Sequence, residues 1–255
     1  MEDVWICAER LLAEGRRICM ATVVVVATSC PGRPGDKCLY DAKGFVSGTE
    51  WMAGEHGLAK QAVAALATAT RGLLDLGEGG RVFLDVMTPG THLLICGAGH
   101  IALPLARFGR ELGFRVTVLD DRPDFAHADR FPGCRVVAQD FAGALGAMSL
   151  GPEDYVVVIT RGHEHDVDCL TQVLGQPVAY VGMIGSRRRV RFVFQGLETQ
   201  GHLREQLDRV FSPIGLPIGA ESPEEIALSI AAELVLVRRK GAAGALQQRQ
   251  VGEAQ

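Results

Sequence analysis

Thr91-His92-Leu93-Leu94-Ile95-Cys96-Gly97-Ala98-Gly99-His100-Ile101-Ala102 is the stretch whose reading decides the fold. Leu93 to Cys96 reads as a short buried strand. Gly97 and Gly99 let the backbone turn sharply and come close to a bound group, and Ala102 fills the third glycine position with a residue small enough for helix to pack on strand. An apolar period of 3.6 follows through Leu103, Leu105, Ala106, Phe108 and Leu112, and Gly113 stops it as a helix-capping glycine. Residues 115–119 make a second strand that ends in Asp120 and Asp121, about twenty residues past the first glycine, where an acid can bind ribose hydroxyls. The glycine string alone is weak; strand, turn, helix, strand and acid in this order point to a Rossmann-like unit. A glycine turn kept only for chain geometry is the alternative, because fold does not fix function.

Downstream the pattern continues, with strands at 135–138, 155–159 and 178–181 and helices at 140–148 and 166–174. Strand order then reverses between the first and fourth strands, so that the loops 97–100 and 160–166 face one crevice. The last long helix opens on Glu221-Ser222-Pro223-Glu224-Glu225, with Ser222 as N-cap and Glu225 completing a capping box, and carries the stripe Ile226, Ile230, Leu234 and Val237. Upstream, residues 2–14 read as an amphipathic helix ended by Gly15, and 18–27 as a β-branched strand. A hairpin of 37–41 and 45–47 turns at Ala42-Lys43-Gly44, a helix over 58–76 follows, and then a strand over 81–86. Pro89-Gly90 marks a boundary. The expected class is α/β: a small α/β domain at 1–88, a Rossmann-like doubly wound parallel sheet at 91–240, and a frayed tail at 241–255 that lacks apolar period.

The chain has 255 residues, 47% of them apolar, enough to fill one large or two modest cores. A net charge of -4 gives no general attraction to nucleic acid or to anionic membranes. The longest apolar run, 20–27, is far short of the ~20 residues of a spanning helix. Met1-Glu2-Asp3 is acidic where a signal peptide would be cationic. Seven cysteines, at 7, 19, 30, 38, 96, 134 and 169, form no CxxC pair and suit a reducing cytoplasm. Cys96 and Cys169 fall within apolar patterns and are expected to be core residues. A cytoplasmic homo-oligomer is the expectation.

Three places can carry chemistry. Thr160-Arg161-Gly162-His163-Glu164-His165-Asp166 ends a strand where open α/β sheets put ligands. On an extended loop His163 and His165 would point to one side and could bind metal or move protons; with no third ligand in view, a hydrogen-bonding ligand loop is the reading adopted and no metal site is assigned. Gly182-Met183-Ile184-Gly185-Ser186-Arg187-Arg188-Arg189 repeats the theme: Ser186 caps the next helix, and its amides with nearby guanidinium groups can cradle phosphate, unless the run is a solvated helix face. Cys30, with Arg33 and Lys37 near it in sequence, sits where a thiol pKa can be lowered, making it a candidate sulfur carrier or an incidental loop cysteine.

These strings together resemble the XdhC/CoxI family of maturation factors for molybdenum hydroxylases such as xanthine dehydrogenase and aldehyde oxidoreductase. The resemblance rests on Leu94-Ile95-Cys96-Gly97-Ala98-Gly99-His100, Val118-Leu119-Asp120-Asp121-Arg122, the 160–166 and 182–187 strings, Ser212-Pro213-Ile214-Gly215-Leu216-Pro217-Ile218-Gly219 and Pro223-Glu224-Glu225-Ile226-Ala227, with Pro31-Gly32-Arg33-Pro34-Gly35-Asp36-Lys37 in the first half. It implies a cofactor-binding chaperone more than a turnover enzyme. Such a protein binds the molybdenum cofactor in its sulfurated form and delivers it to a hydroxylase, with a cysteine desulfurase as a sulfur donor. Gly97, Gly99, His100, Asp120, Asp121, Arg161, His163, His165, Gly185, Ser186 and Arg187 are then the expected cofactor contacts. Where relatives carry a Gly-Gly-Cys-Val-Glu-like turn, this chain has Gly48-Thr49-Glu50-Trp51-Met52, so a thiol at that turn cannot carry sulfur here and Cys30 would have to substitute. An NAD(P)-dependent oxidoreductase or a nucleotide-sensing regulator would use the same glycine turn and Asp120.

Overall fold

A computed structural model describes residues 3–26, 32–53, 56–77 and 80–253. The chain divides into two compact units, Met1–Gly90 and Thr91–Gln255.

In the first unit, α1 (Val4–Ala13) is capped by Asp3, whose carboxylate accepts from the Trp5 amide at 2.8 Å. Strands β1 (Ile18–Val25), β2 (Lys37–Asp41) and β3 (Gly44–Gly48), helices α2 (Glu50–Ala53) and α3 (His56–Thr68), and strands β4 (Gly72–Gly77) and β5 (Gly80–Met87) follow. The strands form one antiparallel sheet in the order β3-β2-β1-β5-β4. Alternation sorts β1: Cys19, Ala21 and Val23 pack with Leu58, Ala62 and Leu66 of α3, whereas Ile18 and Met20 meet Cys7, Ala8 and Leu11 of α1. The helix expected over 58–76 is half wrong. It stops at Thr68, Ala69 takes a positive φ of 52°, and residues 72–77 pair with β5 as a strand. Leu73, Leu74 and Leu76 continue a helical period by coincidence, and cross-strand pairing decides.

The second unit carries β6 (His92–Cys96), α4 (Ala102–Glu111), β7 (Arg115–Asp120), β8 (Arg135–Ala138), α5 (Phe141–Gly146), β9 (Asp154–Val158), α6 (His163–Val173), β10 (Tyr180–Met183), α7 (Arg187–Thr199), α8 (Arg204–Leu207), β11 (Val210–Phe211) and α9 (Pro223–Glu253). All its strands are parallel, in the order β11-β10-β9-β6-β7-β8, so the order reverses between β6 and β9. Both faces are covered. Leu93, Ile95, Val118 and Val157 meet Leu105 and Ala106 of α4 and Ile230 and Leu234 of α9, while Leu94, Cys96, Val156 and Val158 meet α5, α6 and α7. This is why the central strands read as unbroken apolar runs.

Three expectations need correction here. The fifth strand lies two residues later than 178–181, and the two-residue β11 was missed because it is too short to show a period. The helix expected to start at 166 starts at His163; its first turn is polar, and acids there favour the positive end of a helix. The tail at 241–255 is not frayed through its described part. Gly241 (φ 73°) breaks α9, yet helix resumes, Ala245 is fully buried, and Ala242 and Leu246 pack on the core. Alanine favours helix without needing an apolar stripe.

Candidate functional site

The β6–α4 turn is built by packing. Gly97 has φ 116°, and a Cβ there would lie 2.5 Å from the carbonyl oxygen of Ile159 in the neighbouring β9 segment. Its amide donates to Leu119 at 2.7 Å, tying the turn to β7. Further along α4, a Cβ on Gly109 would come 2.7 Å from Leu93, so helix and strand lie tight, with Ala102 fully buried between them. Above Gly99 there is open space to 4 Å. Among the described residues, the amides of Gly99, His100 and Ile101 carry no intramolecular bond, and α4 has no side-chain N-cap. Such donors at a helix start suit an anion. His100 is exposed beside them.

Asp120 is the strut of this turn. One carboxylate oxygen accepts from the Ala98 amide at 2.7 Å and from Arg122 Nη2 at 2.9 Å; the other accepts from the Arg122 amide at 3.0 Å and Nε at 2.8 Å. A carboxylate offers about four lone-pair sites, and four donors fill them. No acceptor is left for a ribose hydroxyl while Arg122 stays. Burial pushes the Asp120 carboxyl up, but the bonds from Arg122 and Ala98 outweigh it and hold the group below its ordinary range. Arg122 in turn lies over the Phe125 ring at 3.7 Å, and Arg130 donates to the carbonyls of Ala98 at 3.0 Å and Phe125 at 2.6 Å. Arg122 and Arg130 were both overlooked; the Asp-Asp-Arg string was the available signal for the first.

Asp121 faces the other way. Arg161 grips it with both guanidinium nitrogens, Nη2 at 2.7 Å from Oδ2 and Nη1 on Oδ1. Arg161 Nη1 also stands 4.0 Å from Asp120 Oδ1, which places the guanidinium beside the turn. Asp121 follows β7 and Arg161 follows β9, the two neighbours of β6, so the pair crosses the carboxyl end of β6 at the reversal of strand order. The Arg161 bond holds the Asp121 carboxyl down at about 2. The Arg161 side chain is 41% exposed.

The loop after β9 is short, because its two histidines belong to α6. Two residues apart on a helix they diverge, which corrects the expectation that they share a side. His163 is exposed and meets the Phe192 ring edge-on at 4.9 Å; His165 meets Phe141 at 5.3 Å and Asp168 at 3.9 Å. Asp166 is fully buried and accepts from Thr160 Oγ1 at 2.6 Å and from Arg189 Nε at 2.7 Å; burial raises its pKa against the pull of those two partners. A Cβ on Gly185 would press on the Arg189 stem at 3.1 Å. Ser186 caps α7 as expected, accepting from the Arg189 amide at 3.3 Å. Arg187 is not brought to the crevice: it lines a hollow of about 430 Å³ with Val190, Arg191, Ser212 and Pro213, beyond β10. Arg189 is the arginine of this run that turns inward.

The structure also holds a Thr-His-Asp chain that sequence reading missed. His92 Nδ1 lies 2.6 Å from Asp154 and Nε2 lies 2.9 Å from Thr117, joining the amino ends of β6, β9 and β7. Thr117 is 5% exposed within its strand, so this chain ties strands together and has no room to attack a substrate. Among the described residues no group of three or more His, Cys, Asp or Glu side chains is placed to hold a metal. Cys96 and Cys169 are both buried core residues. Cys30 lies outside the described residues. Cys19 and Cys38 are buried, and burial pushes both thiols to about 11, so neither is a ready nucleophile. Lys37 reaches the Gly35 carbonyl at 3.3 Å and lies over the Trp5 ring. No helix among the described residues is long and apolar enough to cross a membrane.

The chain is similar to known proteins. Over 160 residues the chain is 33% identical to a Bacillus subtilis (strain 168) protein described as a probable xanthine dehydrogenase component, a match that covers 62% of this chain and 46% of that protein. Over 172 residues it is 31% identical to the uncharacterized protein YqeB of Escherichia coli (strain K12), covering 67% of this chain and 31% of that one. The chain thus spans less than half the length of these curated relatives. A crystal structure of a xanthine dehydrogenase from Bacillus halodurans has the same fold, with a TM-score of 0.54 at 21% identity, covering 91% of this chain and 93% of that one. Residues 93–234 match the XdhC Rossmann domain, and the chain belongs to that family.

Proposed function

We propose that this protein is an accessory factor that holds the molybdenum cofactor by its phosphate in the β6–β9 crevice and passes it to a molybdenum hydroxylase. Family membership and the xanthine dehydrogenase names borne by its relatives support the hydroxylase link. One observation carries the binding role: a half-exposed guanidinium, Arg161, stands at the reversal of strand order beside the amides of a helix start. The residues fit a phosphate. Gly99 leaves space over the amides, and Arg161 presents two donors in the fork that matches phosphate oxygens. The bound group would supply the metal centre on which the recipient hydroxylase depends; this chain supplies the grip and the shelter. Asp120 is saturated and Asp166 is sealed under Thr160 and Arg189, so neither carboxylate is free to act as a base in the crevice. Sulfur transfer within the first unit would fall to Cys30, with a cysteine desulfurase as donor. Co-expression with a molybdenum hydroxylase tests the proposal: hydroxylase activity per enzyme rises when the factor is present. Equal activity without it, together with no pterin on the purified factor, rejects the proposal.

A further inference from the structure

Asp121 and Arg161 both reach solvent at the crevice, and they bind each other. Their pairing lies across the carboxyl end of β6, over the turn that leaves its helix-start amides open. Any anion that reaches those amides meets Arg161 already engaged. On the β7 side the space is filled by the chain itself: Arg122 is locked on the buried Asp120 and covers the Phe125 ring, while Arg130 holds both Ala98 and Phe125. That is the side on which a Rossmann unit seats an adenosine and its ribose. To admit one, the protein would have to strip Arg122 from a carboxylate whose side chain is 2% exposed.

We propose that Asp121 is a built-in competitor for the crevice's ligand: a compact phosphate ester takes Arg161 from Asp121, whereas an adenine dinucleotide is turned away by the Arg122–Phe125 stack. This rests on the reading of the crevice as the cofactor site, and it names the ligand's chemistry and the regulation of that site. The two ion pairs differ in how firmly they hold. Arg161 and Asp121 have side chains 41% and 25% exposed, and a pair so open to water adds little, so an incoming dianion can replace the monoanionic carboxylate. In the Asp120 pair the carboxylate is 2% exposed and filled by four donors, so Arg122 does not exchange so readily.

Titration calorimetry of the full chain with inorganic phosphate, alongside NADH fluorescence titration, tests this. Asp121→Asn tightens phosphate about two- to five-fold, the range by which an exposed ion pair shifts an equilibrium. Arg161→Ala weakens phosphate about tenfold or more through loss of paired charge-assisted bonds. NADH does not saturate either the wild type or Asp121→Asn. Phosphate affinity unchanged in Asp121→Asn, wild-type affinity in Arg161→Ala, or saturable NADH binding overturns the inference. Hydroxylase activation keeps the two readings apart: activation with no effect of Asp121→Asn on phosphate sinks the competitor alone, and a phosphate effect without activation sinks the maturation role alone.

Discussion

Asp120→Asn is the substitution that separates a structural acid from a ligand-binding one. The carboxylate takes four donors, and an asparagine offers one oxygen and one NH2 in the same space. If the oxygen keeps the Ala98 amide and Arg122 Nη2, the NH2 confronts the Arg122 amide and Nε, and two bonds to a charged group are lost. At about 1.5–3 kcal/mol each, the loss would reach ~3–6 kcal/mol. Arg122, with a side chain 31% exposed, recovers part of that by turning to water. An overall cost of ~2–4 kcal/mol remains, mostly that of a buried amide without an acceptor. For a unit of this size each kcal/mol moves the melting point by about 2–4 °C, so calorimetry should show the transition of the second unit fall by ~4–16 °C. The same change one residue later, Asp121→Asn, should cost no more than about 1 kcal/mol because that pair is exposed. Equal effects at the two positions, or an Asp120→Asn protein as stable as wild type, would refute the assignment of Asp120 as the strut.

Other consequences follow from the same contacts. Gly97→Ala forces a side chain into a φ of 116° against the Ile159 carbonyl, and should cost at least about 1–3 kcal/mol in chemical denaturation. His92→Phe leaves Asp154 and Thr117 without their bridging ring and should cost about 1–3 kcal/mol while phosphate affinity stays unchanged; a weakened ligand would show that the amino end of the sheet also takes part in binding. The Asp121 pKa lies below its unfolded value, so the stability it adds is full above the unfolded value near 3.8 and fades as pH falls toward about 2. Measured with sulfate, which stays a dianion throughout, the tightening by Asp121→Asn should therefore be the same at pH 5 and pH 8, and a gain that vanishes at pH 5 would contradict the pairing. Alkylation by iodoacetamide at pH 8, read by peptide mass spectrometry, should leave Cys19 and Cys38 largely unmodified while the fold holds, because their thiols ionise near 11.

The sequence was most readable where one rule acts alone. The run from Thr91 to Asp121 obeys local geometry at every step, so glycine turn, capped helix and terminal acid could all be read from it. Ser222, Pro223 and Glu225 are likewise a local device, and the Ser222 and Glu221 amides both reach the Glu225 carboxylate at 2.9 Å. Residues 72–77 read as helix in sequence because only pairing with β5 distinguishes strand from helix there. The site was half legible. Asp121 and Arg161, 40 residues apart, were each expected at the crevice, but nothing local says that they bind each other. Arg187 and Arg189 read alike in sequence, but residues two apart on a helix diverge by about 160°, and the face that α7 turns to Asp166 is a tertiary fact. Asp120 shows the same limit: its motif position suggests a ribose ligand, and its saturation by Arg122 emerges only with coordinates.

The most direct measurement is a mass spectrum of the small molecules that co-purify from a molybdate-fed host, comparing wild type with Arg161→Ala. The account predicts a phosphorylated pterin on the wild type and its loss from the variant. A pterin-free wild type, equal retention by the variant, or an adenine dinucleotide in its place would contradict it.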